Sequence, residues 1–94
     1  MTYMTQEQRT EYIKTLGDVI VGLDLLEVTL DPEERVDKIE LHARIFGTGH
    51  EEIDAEMRSA GLQKPEIGER MGVLDYLVDE ALLFKDAKGY YRTE

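Results

Sequence analysis

The chain has 94 residues, 41% of them hydrophobic, and its 21 acids against 11 bases give a formal net charge of −10. That length supports one modest core and excludes two folded domains. The lack of cysteine excludes disulfides, thiolate metal sites and cysteine nucleophiles, and makes a reducing cytoplasm the easiest setting.

The charge is unevenly placed. Residues 1–56 carry fourteen acids and five bases, a net −9, whereas residues 57–94 carry seven acids and six bases, a net −1. A field of this sign repels nucleic acid and anionic membrane at long range. It reads either as solubility, in the manner of an acidic or salt-adapted proteome, or as an acidic face built to meet a basic partner. The opening Met-Thr-Tyr-Met-Thr-Gln-Glu lacks the basic-then-apolar layout of a signal peptide, and no apolar run approaches the ~20 residues that span a bilayer, so no membrane role is expected.

In chain order, Thr5-Gln6-Glu7-Gln8 fits a capping box, and Tyr12, Ile13, Leu16, Val19, Ile20, Leu23 and Leu26 mark one face of a first helix over residues 5–26. This stripe serves either the domain core or a homodimer seam. Gly17 and Gly22 inside the helix each weaken it by about 1 kcal/mol relative to Ala, or else admit a close neighbour. Glu27 to Leu30 reads as a β-prone link. Asp31 and Pro32 then suit the cap and first position of a second helix, with Glu33 and Glu34 in its first turn and Val36, Ile39, Ala43 and Phe46 as its apolar line, Leu41 and Ile45 lying beside it. Gly47-Thr48-Gly49 ends that helix. Thr48 to Glu51 is a second capping-box candidate, opening a short helix through Ile53 and Met57 that Gly61 terminates. Pro65 opens the last helix, whose apolar stripe is Ile67, Met71, Leu74, Leu77 or Val78, and Ala81. A hairpin comes next: Leu82 to Phe84 run into the turn Asp86-Ala87-Lys88-Gly89, and Tyr90, Tyr91 and Arg92 leave it. Gly89 supplies the positive φ, Tyr90 is expected to be exposed and Tyr91 packed.

A short helix ending at Ala60-Gly61, a helix from Pro65 to Ala81 and a terminal hairpin over 82–92 resemble the winged-helix branch of the helix-turn-helix families, over about residues 31–92. The resemblance implies a mainly α (α+β) domain of about four helices with a C-terminal β-hairpin wing. The whole of 1–94 is then a single domain, with helix 5–26 added to a winged-helix-like core at 31–94. It also implies DNA binding, for which Lys64, Arg70, Lys85, Lys88 and Arg92 are the candidate contacts. The residues themselves argue against a base-reading helix. Its exposed positions would be Gln63, Lys64, Glu66, Gly68, Glu69 and Gly72, and two carboxylates with two glycines make a poor reader where Arg, Lys, Asn or Gln would reach base edges. Glu56 also departs from the family pattern, which turns an apolar residue inward there.

Catalysis is not expected. His50 and Asp54 at i, i+4 are two ligands at best, so no metal site is expected, His42 is mid-helix, and the adjacent acid pairs do not share a helix face. Gly47-Thr48-Gly49 lacks the lysine and strand context of a phosphate loop, and no cofactor is implied. There remain an acidic face, Glu7, Glu11, Asp18, Glu33, Glu34 and Asp37, and a wing, Lys85, Lys88, Tyr90 and Arg92, as partner-binding candidates. The expectation is a non-enzymatic, cytoplasmic regulatory module that meets a basic protein surface, in the manner of the nucleic-acid-mimicking inhibitors of phages and mobile elements. The alternative is a winged-helix DNA-binding transcriptional regulator dimerising through helix 5–26.

Overall fold

A computed structural model of the protein describes residues 4–93. Its elements are α1 (Gln6–Gly22), α2 (Leu25–Thr29), α3 (Lys38–Thr48), α4 (His50–Ser59), α5 (Ile67–Asp79), and the strands β1 (Phe84–Lys85) and β2 (Tyr91–Arg92). The layout is the expected one, mainly helical with a C-terminal antiparallel hairpin, but it has five helices where about four were expected. The extra one comes from a break in the first.

α1 opens on the expected capping box. The Gln8 N–H donates to Thr5 Oγ1 (3.1 Å) and the Thr5 N–H to Gln8 Oε1 (2.9 Å). The helix ends where Asp24 takes a left-handed conformation (φ 56°) and its N–H donates to the Val21 carbonyl. The continuous helix 5–26 is therefore corrected, and most of the expected β-prone link is α2. The reason lies in Leu25. It stands seven residues after Asp18, so an unbroken α1 would carry it on the solvent edge; the break lets Leu25 and Leu26 both enter the core. Leu25 then packs against Gly49, where an added Cβ would lie 2.6 Å from its Cδ1.

The second long helix starts at Lys38, not at Asp31-Pro32. Val36 and Tyr91 exchange two backbone hydrogen bonds (Val36 N–H to Tyr91 O, 3.0 Å; Tyr91 N–H to Val36 O, 2.7 Å), which require extended backbone at Val36. A helix can begin only after it, and Asp37 is the cap, accepting the Glu40 N–H at 2.8 Å. Glu33 and Glu34 thus lie in a turn ahead of the helix. α3 turns Leu41, Ile45 and Phe46 inward, while Ile39, expected inside, is 73% exposed. Thr48 is the last residue of α3 and caps nothing; α4 continues through Gly49 without a side-chain cap.

α4 and α5 end alike. Gly61 (φ 77°) donates to the Arg58 carbonyl while Leu62 donates to Met57; Ala81 (φ 61°) donates to Val78 while Leu82 donates to Leu77. Both are Schellman closures, one with the expected glycine and one with an alanine in the strained position. α5 starts at Ile67 with Glu66 as its cap residue, two residues later than the expected Pro65 start. Its inward side is Val73, Leu74 and Leu77 with the Glu69 carboxyl group, and Ile67 faces out. The hairpin pairs Phe84 with Arg92 and Lys85 with Tyr91, closed by Gly89 at φ 87°. Tyr90 is exposed and Tyr91 fully buried, as expected.

One cluster of buried side chains runs from Tyr12, Leu16 and Ile20 of α1 through every later helix to Leu83 and Tyr91. α1 packs chiefly on α5 and α4. α1 and α5 are tightly packed at Gly17, where a Cβ would sit 2.6 Å from Tyr76 Cε2, whereas a Cβ on Gly22 would meet nothing within 4 Å. Gly17→Ala is therefore expected to destabilise by roughly 1–2 kcal/mol despite its better helix propensity, and Gly22→Ala to stabilise by up to about 1 kcal/mol. Ala81→Gly, which relieves the left-handed alanine, is expected to add roughly 0.5–1 kcal/mol. Thermal unfolding checks all three; a gain for Gly17→Ala or a loss for Ala81→Gly contradicts the packing described.

Candidate functional site

The cap and the heptad-like spacing of α1 set one edge of that helix apart from its buried side. Glu7, Glu11 and Asp18 recur at four- and seven-residue steps, all exposed, and none has an ion-pair partner among the described residues. Beside them runs an open groove of about 740 Å³ between α1 and the segment joining α4 to α5, with Met4, Tyr12 and Leu62 as its apolar floor. A smaller groove of about 320 Å³ continues it past Thr15 to Val19 and Leu23, with Asp18 and Glu56 on its rim. Among the described residues no Lys or Arg lines either groove, although exposed Lys14 stands on the same edge of α1, three residues after Glu11 and four before Asp18.

The wall of the larger groove is held in place. The Tyr12 hydroxyl donates to the Gln63 carbonyl at 2.6 Å, tying the α4–α5 connection to α1. At the same end Arg9 Nη1 lies 3.2 Å from Glu69 Oε2, whose other oxygen accepts the Glu66 N–H at 3.2 Å, so a nearly buried carboxyl group joins the starts of α1 and α5. Burial, then the Glu69, Asp54 and Glu66 carboxylates, push the Tyr12 hydroxyl up to about 12.

Two of the remaining acids of the expected face, Glu34 and Asp37, do not share this edge's freedom. Glu34 lies 2.6 Å from Arg44 Nη1, which also bonds the Thr29 carbonyl, while Arg44 Nε reaches Glu40 at 3.1 Å. The Arg44 hydrogen bond, and then the Asp31 backbone, hold the Glu34 carboxyl below its ordinary range. Asp37 is committed to the α3 cap. Glu33 is exposed and has no ion-pair partner among the described residues, but it lines neither groove.

The basic candidates are dispersed. Arg70 Nε donates to the Pro65 carbonyl and its guanidinium lies 5.5 Å from the Phe46 ring centroid. Lys64 is exposed in the α4–α5 connection, two residues from exposed Glu66. The register puts Lys85 and Arg92 on opposite faces of the hairpin, each over an aromatic ring of the other strand: Lys85 over Tyr91 at 5.7 Å and Arg92 over Phe84 at 5.4 Å. Arg35 lies over Tyr90 at 5.3 Å and pairs with Asp86 at 3.0 Å. Asp86 Oδ1 also accepts the Lys88 and Tyr90 N–H groups, and the Tyr90 bond is the main cause that keeps its carboxyl low. Lys88 at the tip is exposed and unpaired among the described residues.

Comparison with family models, curated proteins and solved structures returns no match for this chain.

Among the described residues no three His, Asp or Glu side chains are grouped to hold a metal ion, and no helix is long and apolar enough to cross a membrane. His50 is exposed, its Nε2 3.9 Å from Glu51. His42 packs on Phe46 with its Nε2 buried and unpartnered among the described residues, and burial, then Arg70, lower its pKa, which favours the neutral ring. The apolar stripe of α1, the other candidate surface, is largely consumed inside the chain, since Tyr12, Leu16 and Ile20 are buried.

Residue spacing pointed to the acidic edge but not to the groove beside it. Tyr12 looked like one more core position, and Leu62 reaches α1 only through the turn after α4. The one available signal was the Gly61-Leu62 pair, because a residue directly after a left-handed helix terminator is commonly apolar and packed back.

Because Tyr12 keeps its proton longer in the folded chain than in the unfolded one, its stabilising contribution is complete below pH 10 and is lost as pH rises from 10 towards 12. A spectrophotometric tyrosinate titration is expected to show Tyr12 ionising late, together with Tyr76, whose hydroxyl burial and then the Glu80, Asp18 and Glu11 carboxylates also push up, and Tyr12→Phe is expected to remove part of that late component. The same variant is expected to cost about 1 kcal/mol at neutral pH through the lost bond to Gln63. An unchanged titration curve would contradict the assignment.

Proposed function

We propose that this protein is a regulatory module that works by contact, not catalysis, and that the acidic edge of α1 meets a basic protein surface. The observation that carries the reading is the row of three carboxylates, Glu7, Glu11 and Asp18, without ion-pair partners among the described residues, beside an apolar groove that none of the described Lys or Arg residues lines. Three exposed carboxylates against one exposed lysine, Lys14, leave this edge net negative, so it retains a field for a partner, while the apolar floor supplies area that leaves water on contact. A basic groove that ordinarily takes nucleic acid is one such surface, and filling it would make the protein an inhibitor by charge mimicry. Electrostatic complementarity of this kind gives rate and selectivity more than raw affinity.

The winged-helix reading, a DNA-binding regulator, has its own support. A hairpin comes directly after α5, Val36 pairs on the far side of β2, and Lys88 stands free at the tip. Against it, Arg70 is tied to Pro65 and Phe46, Glu66 stands at the start of α5, and Lys85 and Arg92 point to opposite faces of the hairpin. Dimerisation through α1 would have to use the part that its core leaves exposed, chiefly Val21 with half-buried Val19 and Leu23.

A titration against mixed-sequence duplex DNA, at low and then physiological salt, separates the two. The contact reading expects no binding at either. Salt-sensitive binding abolished by Lys88→Glu or Arg92→Glu would overturn it in favour of the DNA-binding regulator.

A further inference from the structure

Resting on the contact reading above, we infer that the groove along α1 takes an amphipathic helix of a basic protein, its apolar side on Met4, Tyr12 and Leu62 and its Lys or Arg residues against Glu7, Glu11 and Asp18. Three features select this occupant. The first is charge: the described residues lining both grooves include Glu7, Glu11, Asp18 and Glu56 and no Lys or Arg, and the nearby Lys14 leaves the edge net negative, so a cationic partner gains at the rim while an anionic one is repelled. The second is length. From Glu7 to Leu23 the two grooves run along α1 for roughly 24 Å at the helical rise, which matches between four and five turns of a partner helix.

The third is the state of the backbone. A partner strand would need free N–H and C=O groups to extend a ladder, and the groove offers few. α1 satisfies its own backbone, the Gly61 and Leu62 N–H groups bond Arg58 and Met57, and the Gln63 carbonyl holds the Tyr12 hydroxyl. A helix brings its backbone bonds with it, and only its side chains have to match the groove. Carboxylates at Glu7 and Glu11 are one helical turn apart, the spacing at which a helix running alongside presents successive Lys or Arg residues.

The test uses a synthetic peptide of about 18 residues, Lys and Leu arranged with helical periodicity, and an isomer of the same composition with that periodicity scrambled, each titrated into the full chain by fluorescence anisotropy. The variants are Glu7→Lys/Glu11→Lys at the rim, Thr15→Trp as an uncharged obstruction where the two grooves meet, and Glu33→Lys/Asp79→Lys as an equal charge change elsewhere. Gln8→Trp is a second obstruction should Thr15→Trp lose its helical circular dichroism.

The inference expects the helical peptide to bind at least about tenfold more tightly than its isomer, and the rim reversal and the obstruction each to weaken it about tenfold, with a much smaller effect from the remote reversal. Equal binding of both peptides, lost on rim reversal but untouched by the obstruction, would overturn the helix-in-groove inference and leave the acidic-edge reading standing. Equal weakening by both charge reversals, or no binding of either peptide at low salt, would overturn both. Light scattering on the free protein supplies the last arm: a dimer abolished by Thr15→Trp would give the groove to a second copy of this chain and overturn the inference.

Discussion

The fold depends on how closely α1 can lie on the rest of the chain. Its crossing with α5 is set at Gly17, where the Tyr76 ring occupies the space of the missing Cβ, and with that contact Tyr12, Leu16 and Ile20 reach the side chains of α4 and α5. Seating one side of a helix this firmly fixes its rotation about its own axis. The edge carrying Glu7, Glu11 and Asp18 then has to face solvent, and Thr15, Val19 and Leu23 have to border the groove against α4. Core packing and the candidate interface are two consequences of one helix orientation.

Left-handed residues set the path of the remaining chain. Asp24, Gly61 and Ala81 each stop a helix and turn the next segment: Leu25 onto Gly49, Leu62 back towards α1, and Leu83 into the core. Only one of the three is glycine. For an L residue that conformation carries a cost of about 1–2 kcal/mol, which the packing of the redirected leucines offsets. Arg44 and Tyr12 then act as ties between segments far apart in sequence, Arg44 joining the end of α2 and Glu34 to α3, and Tyr12 joining α1 to the α4–α5 connection.

Legibility in the residues divides along the same physical line. The Thr5-Gln8 box, Gly61 as a terminator, Gly89 in the turn and the burial of Tyr91 over Tyr90 were all legible, because each depends on local geometry within a few residues. The break at Asp24 and the left-handed Ala81 were not, because those residues carry no glycine signal. The start of α3 was missed because it is imposed by the pairing of Val36 with Tyr91, a contact that spans most of the chain. For the site, the row Glu7, Glu11 and Asp18 came from helical spacing. Grouping Glu33, Glu34 and Asp37 with it assumed a helix from Asp31 that does not form, and the actual partners of Glu34 and Asp37, Arg44 and the Glu40 N–H, belong to the helix that does.

The uneven charge of the chain gains a spatial meaning from this arrangement. Part of the acidity of residues 31–44 is compensated locally, by Arg44 against Glu34 and Glu40, whereas Glu7, Glu11 and Asp18 on α1 and Glu51, Glu52, Asp54 and Glu56 on α4 have no Lys or Arg partner among the described residues. The central claim is that one helix faces the core on one side and a basic partner on the other. Amide chemical shifts of the isotope-labelled protein, monitored as a helical Lys/Leu peptide is added, test it most directly. The account places the largest changes along Glu7 to Leu23 and at Gly61 to Gln63, with the hairpin little affected; changes centred on Lys85 to Arg92, or spread evenly over the chain, would contradict it.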